Sequence, residues 1–256
     1  MLKPRLRLAI NTMAVSIDRI LTDAQPSIYL YGSVTTGDYR PGWSDIDLLV
    51  LTQSPITENQ ADALLCLRQL LCQRDPLTPH YRLFEGGMID LGSFLTGDEA
   101  RVVYWGTSGE RIKTQHGLSS FDRISLLRTG QLLLGRDVRR HMDAPTYDDV
   151  LSDIRTHLQT IREHGRGRRN LSAFGGLLDI ARGLYVVMNG RPVTKTDAAQ
   201  WALDERLCPC PAELSMALTV RRQPELIQDE SILTYAEGLT EAIQEFADLL
   251  EQVMNS

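Results

Sequence analysis

The chain has 256 residues, of which 43% are hydrophobic and 23% charged, so it can bury a sizeable core as one large domain or two modest ones. Its 27 basic and 33 acidic side chains leave a formal charge of −6, which argues against a nucleic-acid coat or a membrane-surface protein. No apolar run reaches the length of a bilayer span, and the start, "MLKPRLRLAI", has neither the apolar core nor the cleavage site of a signal peptide.

Taken in chain order, Leu6, Ile10, Met13, Ile17 and Ile20 recur at helical spacing and predict a helix over 5–23. "SIYLYG" (27–32) reads as a strand that ends in glycine, and "DIDLLVL" (45–51) as a second strand. "TENQADALLCLRQLLCQR" (57–74) opens on a candidate cap, Thr57, and continues as an amphipathic helix. "HYRLFEGGMIDLGSFL" (80–95) reads as one or two strands around the Gly86-Gly87 break. Beyond Thr96 strand signals become rare, and 97–140 reads as a connector with some helix, including "RISLLRTGQLLLG". Helical periodicity returns at Val150, Ile154, Leu158 and Ile161, at Leu177, Ala181, Leu184 and Met188, and from Ile232 to Val253. The expected fold is α+β: a small mixed sheet flanked by helices in 1–140, followed by an α-helical bundle in 141–256.

The four cysteines are Cys66, Cys72, Cys208 and Cys210. "CPCP" has no second cysteine pair or nearby histidines, so zinc is not expected, and reduced thiols in a cytoplasmic protein are.

The chemistry concentrates in 29–51. Strand side chains alternate, so Asp45 and Asp47 share one face. Two carboxylates roughly 6 Å apart repel by about 2–3 kcal/mol at an effective dielectric near 20, and a divalent cation turns that repulsion into attraction. Magnesium suits such a site, because it takes one or two carboxylates together with substrate phosphates. Gly32-Ser33 follows directly on a strand end, where glycine admits a close ligand and the succeeding N–H groups and hydroxyl can receive phosphate oxygens. Ser44 precedes the carboxylate pair and is counted with Gly32 and Ser33 among the candidate nucleotide-binding residues.

"YGSVTTGDYRPGWSDIDLLVL" (31–51) resembles the signature of the polymerase-β-like nucleotidyltransferases, in particular the streptomycin/spectinomycin adenylyltransferases. "LDIARGLYVVMNGRPVTKTDAAQWAL" (178–203) is similar to a segment of their helical domain: an Ala-Arg pair, an Asn-Gly turn, a lysine and an Ala-Ala-x-Trp helix. The resemblance implies transfer of a nucleoside monophosphate, AMP from ATP, to an acceptor hydroxyl with the help of two Mg2+ ions. It makes Asp45 and Asp47 metal ligands and Gly32-Ser33 the phosphate cradle, and it assigns Arg182 and Lys195 to the nucleotide phosphates. An aminoglycoside-type antibiotic is the implied small-molecule acceptor, with nucleic acid and membrane not expected as partners.

Such a transfer needs a third carboxylate as base or metal ligand. In the resembled family it lies on a following strand, and Asp90, forty-three residues beyond Asp47 in an apolar stretch, is the candidate here. Glu85 is the rival, since Gly86-Gly87 could shift the register. Trp105 and Glu110 are candidate acceptor contacts, and Trp201 is read as core packing. Arg166, Arg168 and Arg169 in "GRGRRN" would repel a polycation and suit an anion, or form a solvated loop; only Glu163 is acidic nearby. Two other readings stay open, a protein-modifying nucleotidyltransferase of antitoxin type and a non-catalytic nucleotide-binding module.

Overall fold

A computed structural model describes residues 2–164 and 171–255. The chain divides into two compact units, one of Met1–Tyr39 with Ser44–Ala144 and one of Arg40–Trp43 with Pro145–Ser256. The boundary after Ala144 lies a few residues beyond the expected 140/141, and the short segment Arg40–Trp43 counts with the helical unit.

The first unit is built on a six-stranded sheet in the order β5-β4-β3-β2-β1-β6. Helix α1 (Pro4–Ile20) opens with proline in its first turn, where the missing N–H costs nothing. It is followed by β1 (Ser27–Tyr31), a single turn α2 (Ser33–Thr36) and β2 (Ile46–Thr52), which pairs antiparallel to β1. Helix α3 (Glu58–Arg74) begins with a capping box, Thr57 and Gln60 bonding reciprocally, as the sequence signature requires. It carries the chain across to β3 (Phe84–Asp90), parallel to β2, the connection that a parallel pair demands.

β3 is continuous: Gly86 and Gly87 lie inside it and do not divide it. Helix α4 (Leu91–Thr96) follows at once. The expected connector is no connector. It holds β4 (Val102–Gly106), β5 (Gly109–Lys113), helix α5 (Ser120–Thr129) and β6 (Gln131–Leu134), half of the sheet's strands. One sheet face, with Ile46, Leu48, Val50, Phe84 and Trp105, packs under α1 and α3. The other, with Tyr29, Tyr31, Leu49 and Ile89, is closed by Phe94 of α4 and Leu126 of α5.

The second unit is helical: α6 (Tyr147–His164), α7 (Ser172–Asn189), α8 (Lys195–Asp204), α9 (Pro211–Arg222), α10 (Glu230–Glu237) and α11 (Thr240–Met254). Helix α7 is its axis and is buried along most of its length, against α6, α8, α9 and α11. Trp201 of α8 meets Tyr185 of α7 edge-on with ring centroids 5.0 Å apart, so it packs between helices as expected. Among the described residues, no helix is long and apolar enough to cross a membrane.

Candidate active site

The sheet brings the front of β2 against the end of β1. Tyr31, the last residue of β1, pairs with Asp47, and on the other side of β2 Asp47 pairs with Glu85 of β3. The row Tyr31–Asp47–Glu85 thus crosses three strands on one face. Asp45, one alternation before Asp47, stands just ahead of β2. Asp45, Asp47 and Glu85 are all half-buried.

Gly32 is bound into this row by sterics. Its φ of +72° is a conformation that side chains disfavour, and a Cβ placed there would collide with Oδ2 and Cγ of Asp47. Glycine is therefore what lets the Asp47 carboxylate lie against the chain at the end of β1. The Gly32 N–H donates to Oγ of Ser125 on α5 at 3.0 Å, which holds the turn in place. Ser33 Oγ is buried and has no hydrogen-bond partner among the described residues. A buried hydroxyl without a partner costs about 1–3 kcal/mol, and a phosphate oxygen would relieve that. Ser44 is buried beside the start of β2.

The donor set fits a hard divalent cation. Among the described residues no group of three or more His, Cys, Asp or Glu side chains is placed to hold a metal ion. Mg2+ takes one or two protein carboxylates and completes its shell with phosphate oxygens and water. Around the carboxylates lie phenols that stay protonated. Tyr31 is pushed well above its ordinary value by burial and then by the charges of Asp122, Asp47 and Glu85. Tyr104 of β4 donates from its hydroxyl to Glu85 Oε1 at 2.7 Å. Burial and that bond push the Tyr104 phenol up to about 12.

Three candidates from sequence fall elsewhere. Asp90 pairs with Thr52, five strand positions beyond the Asp47–Glu85 pair, or about 17 Å at the usual rise. Alternation also turns it to the opposite face, and its carboxylate caps α4 by accepting from Ser93 N at 2.9 Å. The charge in an apolar run was real, but a helix N-terminus accounts for it. Trp105 is fully buried in the core under α3, its Nε1 donating to the Leu64 carbonyl at 3.1 Å, so it offers no face to an acceptor. Glu110 is consumed by Arg68, a buried guanidinium that also donates to the carbonyls of Phe84 and Gly106. Desolvation would raise the Glu110 carboxyl, but the Arg68 bond and charge outweigh it and hold it below the usual range.

Arg182 and Lys195 lie in the helical unit around one carboxylate, Asp179. Lys195 Nζ reaches Asp179 Oδ2 at 2.9 Å, Arg182 Nη2 reaches Oδ1 at 3.0 Å, and His157 Nε2 stands 3.4 Å from Oδ2. Burial opposes the Asp179 charge, yet Lys195, Arg182 and the His157 bond hold its carboxyl far below the ordinary range. Lys195 is the first residue of α8, where the helix dipole disfavours a cation, and Asp179 offsets this. The place of Asp179, three residues before Arg182 on one helix, already marks it as an ion-pair partner in the sequence. Arg166, Arg168 and Arg169 lie outside the described residues.

Residues 19–100, which span β1, the Gly32-Ser33 turn, β2, α3 and β3, match the family model described as the nucleotidyltransferase domain. Apart from Arg40–Trp43, that match lies within the first unit. A comparison with curated protein sequences finds no match. Among solved structures, the chain is similar to the spectinomycin adenyltransferase AAD(9) from Enterococcus faecialis, crystallised with ATP and spectinomycin. The likeness has a TM-score of 0.66 at 14% identity and covers 96% of this chain and 99% of that one, so the fold is shared across both the nucleotidyltransferase domain and the helical unit. The chain is thus an enzyme of the nucleotide-transferring class that resembles the aminoglycoside adenylyltransferases.

Proposed function

We propose that the enzyme transfers AMP from ATP to a hydroxyl of a small-molecule acceptor, with an aminoglycoside-type antibiotic as the leading candidate. The observation that carries this is the packing of the Asp47 carboxylate on Gly32, next to the buried and unsatisfied Ser33 hydroxyl. A phosphate cradle and a metal-binding carboxylate are there one structure. The acceptor class is supported by the shared fold with a spectinomycin adenyltransferase.

Gly32, Ser33 and Ser44 receive the triphosphate, and Asp45 and Asp47 hold two Mg2+ ions. Bound there, Mg2+ would supply charge neutralisation to the phosphates. The acceptor oxygen forms a bond to the α-phosphorus, the bond from that phosphorus to pyrophosphate breaks, and the hydroxyl proton passes to a carboxylate. Glu85 takes that part in place of Asp90, because the register sets it beside Asp47. Its charge also adds to the pull on a divalent ion. Arg182 and Lys195, held by Asp179, are assigned to the nucleotide phosphates on the resemblance alone.

The test is incubation of the full chain with Mg2+, labelled ATP and an antibiotic panel. Label on streptomycin or spectinomycin supports the proposal. Label on protein alone would move the enzyme to the protein-modifying class, and bound ATP without turnover would reduce it to a binding module.

A further inference from the structure

We infer that Tyr104 is a positioning residue, which fixes the Glu85 carboxylate beside Asp47; the inference rests on the reading of Glu85 as the site's third carboxylate. A glutamate has three side-chain torsions, and half-buried at a strand it must be held or it loses the geometry that chemistry needs. The Tyr104 hydroxyl supplies the hold, at 2.7 Å on Oε1. A hydrogen bond to a charged acceptor is about twice as strong as one between neutral groups.

The phenol is itself clamped. Tyr104 pairs with Gly87 on β3 and with Arg111 on β5. The Arg111 guanidinium lies 4.6 Å and the Lys113 ammonium 4.5 Å from the centre of its ring. On a further side the His116 ring stands 5.8 Å away, tilted by 50°. His116 occupies the space over Gly87, where any Cβ would strike the imidazole. The Gly87 gap in the sheet face therefore seats the group that buttresses Tyr104.

The experiment titrates Mn2+ into the full-length protein and reads free ion by electron paramagnetic resonance, for wild type, Tyr104→Phe, Glu85→Gln and the double variant. Tyr104→Phe keeps the ring between its cations, and thermal melting checks that each variant is folded. Each single change is expected to weaken Mn2+ binding about tenfold, the effect of losing a group that orients a metal-site carboxylate. The double variant is expected to bind no more weakly than Glu85→Gln, because Tyr104 acts through Glu85. If Glu85→Gln weakens binding and Tyr104→Phe does not, the Tyr104 role is overturned and the Glu85 reading stands. Losses that add in the double variant also overturn it, since they route the effect elsewhere. Wild-type binding by Glu85→Gln would instead remove Glu85 from the site and the inference with it.

Discussion

Glu85 and Asp179 are both carboxylates set among apolar neighbours, and the two units treat them differently. In the sheet unit Glu85 stands next to another carboxylate, Asp47, and is met by the neutral hydroxyl of Tyr104. In the helical unit Asp179 is met by an ammonium, a guanidinium and an imidazole. The first arrangement sets one carboxylate beside another and beside a neutral donor. The second compensates the charge within the fold. The difference teaches that a carboxylate in an apolar run marks cost, and only its neighbours say whether function or structure carries that cost.

The largest expected effect separates the two roles within the sheet unit. Asp47→Asn should abolish nucleotide transfer, by roughly a thousandfold or more, since metal stabilisation is worth several kcal/mol. Glu85→Gln should follow it closely, whereas Asp90→Asn should retain most activity. Full transfer by a folded Asp47→Asn protein would end the metal-site reading, and loss with Asp90→Asn but not Glu85→Gln would reverse the choice between the two acids.

Gly32→Ala comes next. It forces a side chain into a positive φ and against Asp47, so transfer should fall about a hundredfold if the carboxylate moves by about 1 Å. An active and normally stable Gly32→Ala protein would show that the cradle and the carboxylate are independent.

A third test contrasts the units by pH. Burial, and then the charge of Lys113, lower His116 from 6.5 to about 4, so the folded sheet unit holds it neutral. Between those values the unfolded chain binds a proton that the folded one does not, and stability falls as pH falls. From pH 7 to pH 5 the loss is about 2 kcal/mol. Asp179, with its pKa depressed, stabilises the helical unit above the ordinary carboxylate range and yields only in stronger acid. Urea unfolding of wild type and His116→Gln at the two pH values checks this: the variant should show the smaller loss, and equal losses would exclude His116 as its source.

The smallest effect belongs to the cap. Asp90→Ala should cost about 1 kcal/mol in urea unfolding, typical for loss of an N-cap, and leave Mn2+ binding untouched.

Local pattern went far in this chain. The helices α1 and α3, the strands β1 and β2, and the glycine–serine turn before the carboxylate pair were legible because each is a short-range periodicity or cap. β4 was not, since "VVYWG" is covered on both faces and lacks alternation. β5 lies at an edge and is polar, and β6 is a run of leucines that periodicity cannot tell from helix. Spacing placed Asp45 and Asp47 two residues apart at the start of β2, behind a glycine–serine turn. Only the tertiary structure decided that Glu85, not Asp90, stands beside them, that Tyr104 holds it, and that Trp105 and Glu110 belong to the core and its ion pair. The reason is register: neighbours along a strand follow from alternation, but neighbours across strands depend on how distant segments pair.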